Sequence, residues 1–229
     1  MFCVQIAGVL VAVENRYAFT ERLCADYIVD VSPDECAFSV SATPEEIAAE
    51  NNDEDAFSPA YCESLALYRK MCTRLLDYDA FLFHAAVVSY AGRGYAFAAK
   101  SGTGKSTHVA QWMHALGDRV MVVNGDKPIL RWCGGEGAGA AAGSGAFLAY
   151  GTPYCGKESW GQNASVPLRA VCFIERCEPG ERDCLRRLED DGEIINRMMN
   201  QILLPKDPIL AVRQLDLLDK LVTCVPFYV

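Results

Sequence analysis

The sequence predicts an α/β fold, and three observations carry that expectation. Residues 93–132 pass from an apolar run through a glycine-rich turn into a segment of helical apolar spacing, then into a second apolar run that ends on an acidic residue. On either side of this block, continuous apolar runs alternate with segments of helical spacing, and the sequence holds no internal repeat. Apolar residues make up 51% of the 229 positions, enough for one substantial core and a small accessory lobe. The division expected is a small N-terminal α+β lobe over residues 1–80 packed on a core over residues 81–229.

The elements follow in order. Val4 to Val13 is apolar, rich in valine and bounded by Glu14-Asn15-Arg16, and reads as a strand followed by a turn. Cys36 to Val40 reads as a second short strand. Thr43-Pro44-Glu45-Glu46 offers a cap residue, a proline at the first helical position and acidic residues in the first turn, so a short helix starts there. Over residues 59–78, Leu65, Tyr68, Met71, Cys72 and Leu75 recur at helical spacing and predict a helix with one buried face. Residues 81–90 and 94–98 are apolar runs joined at Ala91-Gly92-Arg93, the pattern of two strands and a tight turn. A helix over 106–116 buries Val109, Trp112 and Met113, and Val120 to Val123 has the continuous apolar character of a buried strand. Residues 134–146 are almost entirely glycine and alanine, with no large apolar group to anchor them, and predict a mobile surface loop. Strands are expected at 146–150 and 168–175, and helices at 180–204 and 207–221, divided by Pro205.

Composition excludes several partner classes. A net charge of −9 repels nucleic acid and anionic lipid, so neither is expected to bind. No apolar run approaches the roughly 20 residues of a membrane span, and the first apolar stretch is followed by acidic Glu14 rather than preceded by basic residues. The eleven cysteines include no C-x-x-C pair, and the three histidines, at 84, 108 and 114, lie far from Cys172, Cys177 and Cys184. That spacing fits core thiols in a reducing compartment rather than a zinc site, and points to the cytoplasm.

Chemistry concentrates in Ala99-Lys100-Ser101-Gly102-Thr103-Gly104-Lys105-Ser106, a phosphate-binding pattern with alanine in place of its first glycine. Glycines at 102 and 104 let backbone N–H groups turn inward around phosphate oxygens at the positive end of the following helix. Ser101, Gly102, Thr103, Gly104, Lys105, Ser106 and Thr107 are the candidate nucleotide contacts. Lys105 would place a charge on the β- and γ-phosphates, and the Ser106 hydroxyl would ligate the Mg²⁺ that accompanies ATP. Asp126, directly after the apolar strand, is the candidate carboxylate for the metal or for an acceptor proton. Asn124-Gly125-Asp126 is also good turn chemistry, so a purely local role stands beside the catalytic one.

With His84 in Leu82-Phe83-His84-Ala85, the loop from Ser101 to Ser106 and the strand closing at Asp126, the chain resembles the HPr kinase/phosphorylase family. More distantly it is similar to the ATP-dependent phosphoenolpyruvate carboxykinases. The resemblance covers residues 81–132 and extends only loosely beyond them. It implies a mixed-sheet P-loop kinase core, ATP and Mg²⁺ as cofactors, and transfer of phosphate to a serine of a carrier protein or peptide. It also implies a place for His84 beside the transferred group, giving a catalytic set of Asp126, His84 and Lys105, although the apolar run around His84 fits a core histidine equally well.

The chain departs from the family in two ways. Where the family sets two aspartates side by side, this chain has Gly125-Asp126, so either one carboxylate does both jobs or a second comes from elsewhere, for which Glu158 is the candidate. The family's long segment after the acidic pair, used for its oligomer and for phosphorolysis, is not recognisable; kinase activity alone is expected, and a homo-oligomer remains open. Residues 151–160 form a turn-rich segment in which Lys157 is a candidate contact for phosphate or acceptor. His108 and His114 are expected to be structural or exposed. Two other classes compete: an ATP-dependent switch or assembly factor without an acceptor, and a small-molecule kinase, which would be expected to carry more His and Asp metal ligands.

Overall fold

The computed structural model describes residues 1–51, 57–134, 145–177, 180 and 182–229. Strands β1 (Phe2–Ile6) and β2 (Val9–Glu14) pair antiparallel, so the run 4–13 is a hairpin rather than the single strand its sequence suggests. Ala7 and Gly8 turn the chain with φ of 51° and 75°, the positive pair of a two-residue hairpin turn. No polar residue marks this turn because Ala7 is buried and its carbonyl accepts from Arg131 Nη1 at 2.7 Å.

A short helix, α1 (Ala18–Leu23), follows, with no strong signal of its own in the sequence. Its entry is held by the buried carboxylate of Glu63, which accepts from the backbone of Arg16 at 2.6 Å and of Tyr17 at 3.0 Å. β3 (Phe38–Ser41) lies parallel to β2, and α2 (Pro44–Ala49) begins with the capping box that Thr43 and Glu46 form. α3 (Pro59–Leu75) buries Tyr68, Met71, Cys72 and Leu75 as their spacing predicts, whereas Leu65 is only partly buried and Leu67, outside the expected set, is enclosed beside them.

The core comprises β4 (Ala80–Leu82), β5 (Ala86–Tyr90), β6 (Arg93–Ala98), α4 (Lys105–Leu116), β7 (Val120–Asn124), β8 (Ile129–Cys133), β9 (Ala146–Tyr150) and β10 (Ser165–Phe173). The chain then runs through β11 (Arg187–Leu188), α5 (Asp191–Met199), α6 (Pro208–Cys224) and β12 (Phe227–Tyr228). The main path of the sheet is β4-β8-β9-β10-β6-β5-β7, with β12 alongside β10 and β11 on β12. It is mixed: β10 is parallel to β6 and β12, while β5 is antiparallel to both β6 and β7. The C-terminal ends of β6, β7 and β10 therefore lie at one end of the sheet, where α/β folds place their ligands.

Alternation along the strands divides the apolar side chains. Ala96, Ala98, Val87 and Val123 join the cluster with Met198, Leu218 and Phe227 of the C-terminal elements, while Phe97, Val88 and Val122 face Val109 of α4. The sheet is thus sandwiched between α4 on one face and α5 and α6 on the other. A third cluster fills the N-terminal lobe and takes in Ile129 and Tyr154 from the core.

Two stretches differ from expectation. The run 81–90 breaks at Phe83-His84-Ala85, because the N–H groups of these residues donate to Pro128, Gln201 and Asp126 carbonyls at 3.2, 2.6 and 3.1 Å instead of continuing one ladder. Among the described residues of the helix expected at 180–204, only Asp191–Met199 are helical; Arg187–Leu188 pairs with β12 at the far end of the chain. Most of the glycine–alanine stretch expected to be mobile, residues 135–144, lies outside the described residues. Among the described residues, no helix is long and apolar enough to cross a membrane.

Candidate functional site

The phosphate-loop residues leave the C-terminal end of β6 and lead into α4. Gly102 and Gly104 have φ of 76° and 119°, and open space surrounds a Cβ at either position, so backbone conformation rather than crowding demands glycine there. Ala99, which replaces the first glycine, is buried and outside the positive-φ region, so a methyl group is accommodated.

Arg176, just beyond β10, donates from Nη2 to the Gly102 carbonyl at 2.6 Å and from Nε to the Thr103 carbonyl at 3.1 Å. Because the peptide unit is planar and trans, turning the Thr103 carbonyl toward Arg176 points the Gly104 N–H the opposite way. Gly104 precedes α4 without a side-chain cap, so the first-turn amides of a 12-residue helix are left for an anion. Lys105 and Ser106 sit partly buried in that first turn, while Ser101, Gly102 and Thr107 are exposed. A cleft of about 500 Å³ runs along the loop from Ala98 to Thr103 and reaches Arg197, Asn200 and Gln201.

The second half of the site hangs on the end of β7. Asn124 is fully buried; its Nδ2 donates to the backbone and hydroxyl oxygens of Thr152, both at 3.1 Å. Its Oδ1 accepts from the N–H groups of Asp126 and Lys127 at 2.9 and 2.8 Å. This Asx turn fixes the direction of the Asp126 side chain. A Cβ added at Gly125 would lie 2.7 Å from the Cys155 carbonyl and 3.1 Å from that of Trp160, which accepts from the Gly125 N–H. The position where the resemblance expects a second aspartate is therefore closed to any side chain by the 151–161 loop.

Asp126 gathers three donors. Its Oδ1 lies 3.0 Å from His84 Nε2 and 3.1 Å from Lys105 Nζ, and its Oδ2 accepts from Lys127 Nζ at 2.8 Å. Burial works against the carboxylate charge, but the His84 and Lys127 hydrogen bonds and the lysine charges outweigh it and hold the carboxyl well below its usual range. An ionised carboxylate only accepts, so His84 carries its proton on Nε2. Burial pushes the Lys105 ammonium down, against the pull of Asp126 and, more weakly, of Glu158.

The structure thus brings together His84, Lys105 and Asp126. Glu158 stands nearby: a Cβ at Gly156 would lie 3.1 Å from Asp126 Cβ and 3.7 Å from Glu158 Oε2. Lys157 is exposed, with no hydrogen bond or ion pair among the described residues. His108 accepts from Trp112 Nε1 at 3.1 Å and packs on Phe97, with burial pushing its pKa down, which is a structural role; His114 is exposed. Sequence reasoning missed Lys127 and Arg176, and it took Asn124 only as part of a turn. Lys127 carried a local signal in its adjacency to Asp126, and Asn124 in the turn chemistry of Asn124-Gly125-Asp126, which the Asx turn realises; Arg176 carried none.

A scan against protein-family models finds no match for the chain, and a search of curated proteins finds none either. The functional reading therefore rests on the geometry above.

Proposed function

We propose that the chain is an ATP-dependent kinase of HPr kinase-like type, with a P-loop kinase core that transfers the γ-phosphate to a serine hydroxyl of a protein or peptide in the cytoplasm. The observation that carries this reading is the meeting of Lys105, from the phosphate loop, with His84 on one carboxylate oxygen of Asp126. A phosphate-binding turn alone marks a nucleotide binder; a carboxylate within reach of its lysine adds a group that can act on an acceptor.

The ion pairs describe the site before substrate binds. Triphosphate oxygens compete with Asp126 for Lys105, and the amides of the loop and the first turn of α4 hold those oxygens. As Lys105 turns to the phosphates, Asp126 loses one of the charges that depress its pKa and becomes a better base. The acceptor oxygen then bonds to the γ-phosphorus, the bond to the β–γ bridging oxygen breaks, and the acceptor proton passes to Asp126. A loose transition state asks little of the base, so positioning by Asn124, His84 and Lys127 outweighs basicity.

The donor set fits Mg²⁺, which takes most of its oxygens from phosphate and water: Ser106 Oγ would be one ligand, and an Asp126 carboxylate oxygen would be a second in the alternative in which Asp126 holds the metal instead of taking the acceptor proton. The ion supplies charge neutralisation on the β- and γ-phosphates.

Calorimetry of ATP binding to wild type and Lys105→Ala tests the nucleotide half. The lysine contact is expected to contribute roughly 2 kcal/mol, or about thirtyfold in affinity. Equal affinity would sink the reading. Phosphate release at the same rate with and without every hydroxyl acceptor would favour an ATP-driven switch or assembly factor instead.

A further inference from the structure

A cleft of about 1200 Å³ opens beside His84 and Lys127 and runs outward between the N-terminal lobe and the segment 200–207 that joins α5 to α6. One wall is α3 with the edge of β3; the other is the segment from Asn200 to Asp207. Its inner end adjoins Asp126 through Lys127, and it meets the cleft along the phosphate loop at Asn200 and Gln201, which line both.

Four features describe the occupant. The volume exceeds the roughly 300–1,000 Å³ typical of small-molecule pockets, which suits a length of chain. The floor and rim are apolar at Leu65, Leu82, Leu203 and Leu204, and Leu204 is 49% exposed, a large apolar side chain left open among the described residues. Of the five lysines and arginines in the lining, Arg69, Lys70, Arg74 and Lys127 are already paired with Glu50, Glu46, Asp77 and Asp126, which leaves the positive charge at the outer end. Lys206, at the outer end, is exposed and has no ion-pair partner among the described residues. Finally, Gln201 is only 6% exposed, and its side-chain oxygen is buried without a hydrogen-bond partner among the described residues. Rotation of that amide would offer its oxygen to a backbone N–H in the cleft, relieving an unpaired acceptor.

We propose that this cleft binds an extended peptide segment, apolar where it crosses Leu204 and acidic where it passes Lys206, and delivers its serine to Asp126. An extended chain supplies backbone N–H groups at regular intervals, alternate side chains for an apolar wall, and enough length to fill the space. The word serine rests on the kinase reading; the binding of peptide in the cleft does not.

The test uses the full chain, fluorescently tagged, on an array of degenerate serine-centred peptides without nucleotide, and then the same array with γ-labelled ATP. Expected is retention by a subset with apolar residues next to the serine and acidic residues further out. Leu204→Glu and Lys206→Glu, both exposed substitutions, should each weaken retention about tenfold while ATP affinity stays unchanged. Label should then appear on the same subset. No retention, or retention that neither substitution alters, overturns the inference, as does label reaching free serine or glycerol and no peptide. Retention that responds to both substitutions without any transfer of label upholds the peptide cleft and removes the kinase reading.

Discussion

At the scale of single residues, Asp126 is the test of the site, because its ionisation is tied to both fold and chemistry. Its folded pKa is depressed by His84, Lys127 and Lys105 despite burial. For a carboxyl depressed on folding, the stabilisation is complete above about pH 5 and is lost as pH falls through the ordinary value near 4 and below. Asp126→Asn removes that contribution, so the gap in Tm between wild type and variant should be widest near neutral pH and narrow steadily in thermal scans at pH 4 and 3. A gap independent of pH would mean that the three donors do not hold the charge. In single-turnover transfer, the same substitution should lower the rate about 10²–10⁴-fold, and a variant within about threefold of wild type would leave only the turn role for this residue. Lys105 and Asp126 were legible because phosphate chemistry restricts residue types within a short window. His84 entered only through resemblance, and Asn124 and Lys127 act through a turn whose partner, Thr152, lies 28 residues from Asn124. The departure at Gly125 became intelligible only once the loop carrying Cys155 and Trp160 was seen packed against it.

At the scale of elements, the phosphate loop depends on a neighbour that no local pattern announces. Parallel pairing of β10 with β6 brings Arg176 to the loop from more than 70 residues away, and its guanidinium ties down two successive carbonyls. Arg176→Ala leaves an exposed surface and little packing to lose, so thermal stability should hardly change. The loop amides, no longer fixed, must be ordered by the ligand, and ATP affinity in calorimetry should fall roughly tenfold, the scale of a lost charged hydrogen bond. Unchanged affinity would show that the loop is preorganised by its glycines alone. The same dependence on distant partners explains which elements the sequence revealed. α2, α3 and α6 carry their own caps at Thr43, Ser58 and Asp207, with a proline at the first helical position in each, and are legible locally. The strand at 187–188 exists because Phe227 and Tyr228 lie beside it, and the first hairpin hides its turn because Ala7 is buried under Arg131. Neither fact is written in the residues on either side of it.

At the scale of the whole molecule, the N-terminal lobe and the core share one packed interface that ends at the site. Tyr68 of α3 stacks on Tyr154 with ring centroids 3.9 Å apart, and its hydroxyl donates to the Lys127 carbonyl at 2.8 Å. Tyr154 donates in turn to the Ser64 carbonyl at 2.6 Å, and Arg131 reaches the first hairpin. With Ile129 and Tyr154 inside the lobe's apolar cluster, separating the two parts would expose core on both sides, so unfolding in urea should be one transition by fluorescence and circular dichroism alike. Two substitutions divide the interface into its terms. Tyr68→Phe keeps the stacked ring and removes one donor from a carbonyl that still accepts from the Thr152 hydroxyl at 2.8 Å, so the loss should be about 1 kcal/mol. Tyr68→Ala removes the ring from a fully enclosed position and should cost roughly 3–5 kcal/mol. Because the Tyr68 hydroxyl bonds the Lys127 carbonyl and its ring stacks on Tyr154, whose carbonyl accepts from the Lys127 N–H, the alanine variant should also slow phosphate transfer under conditions where it remains folded, with ATP affinity at the phosphate loop preserved. Two separate unfolding transitions, or an alanine variant as stable as the phenylalanine one, would show instead that the lobe is an appendage and that Lys127 is positioned by the core alone.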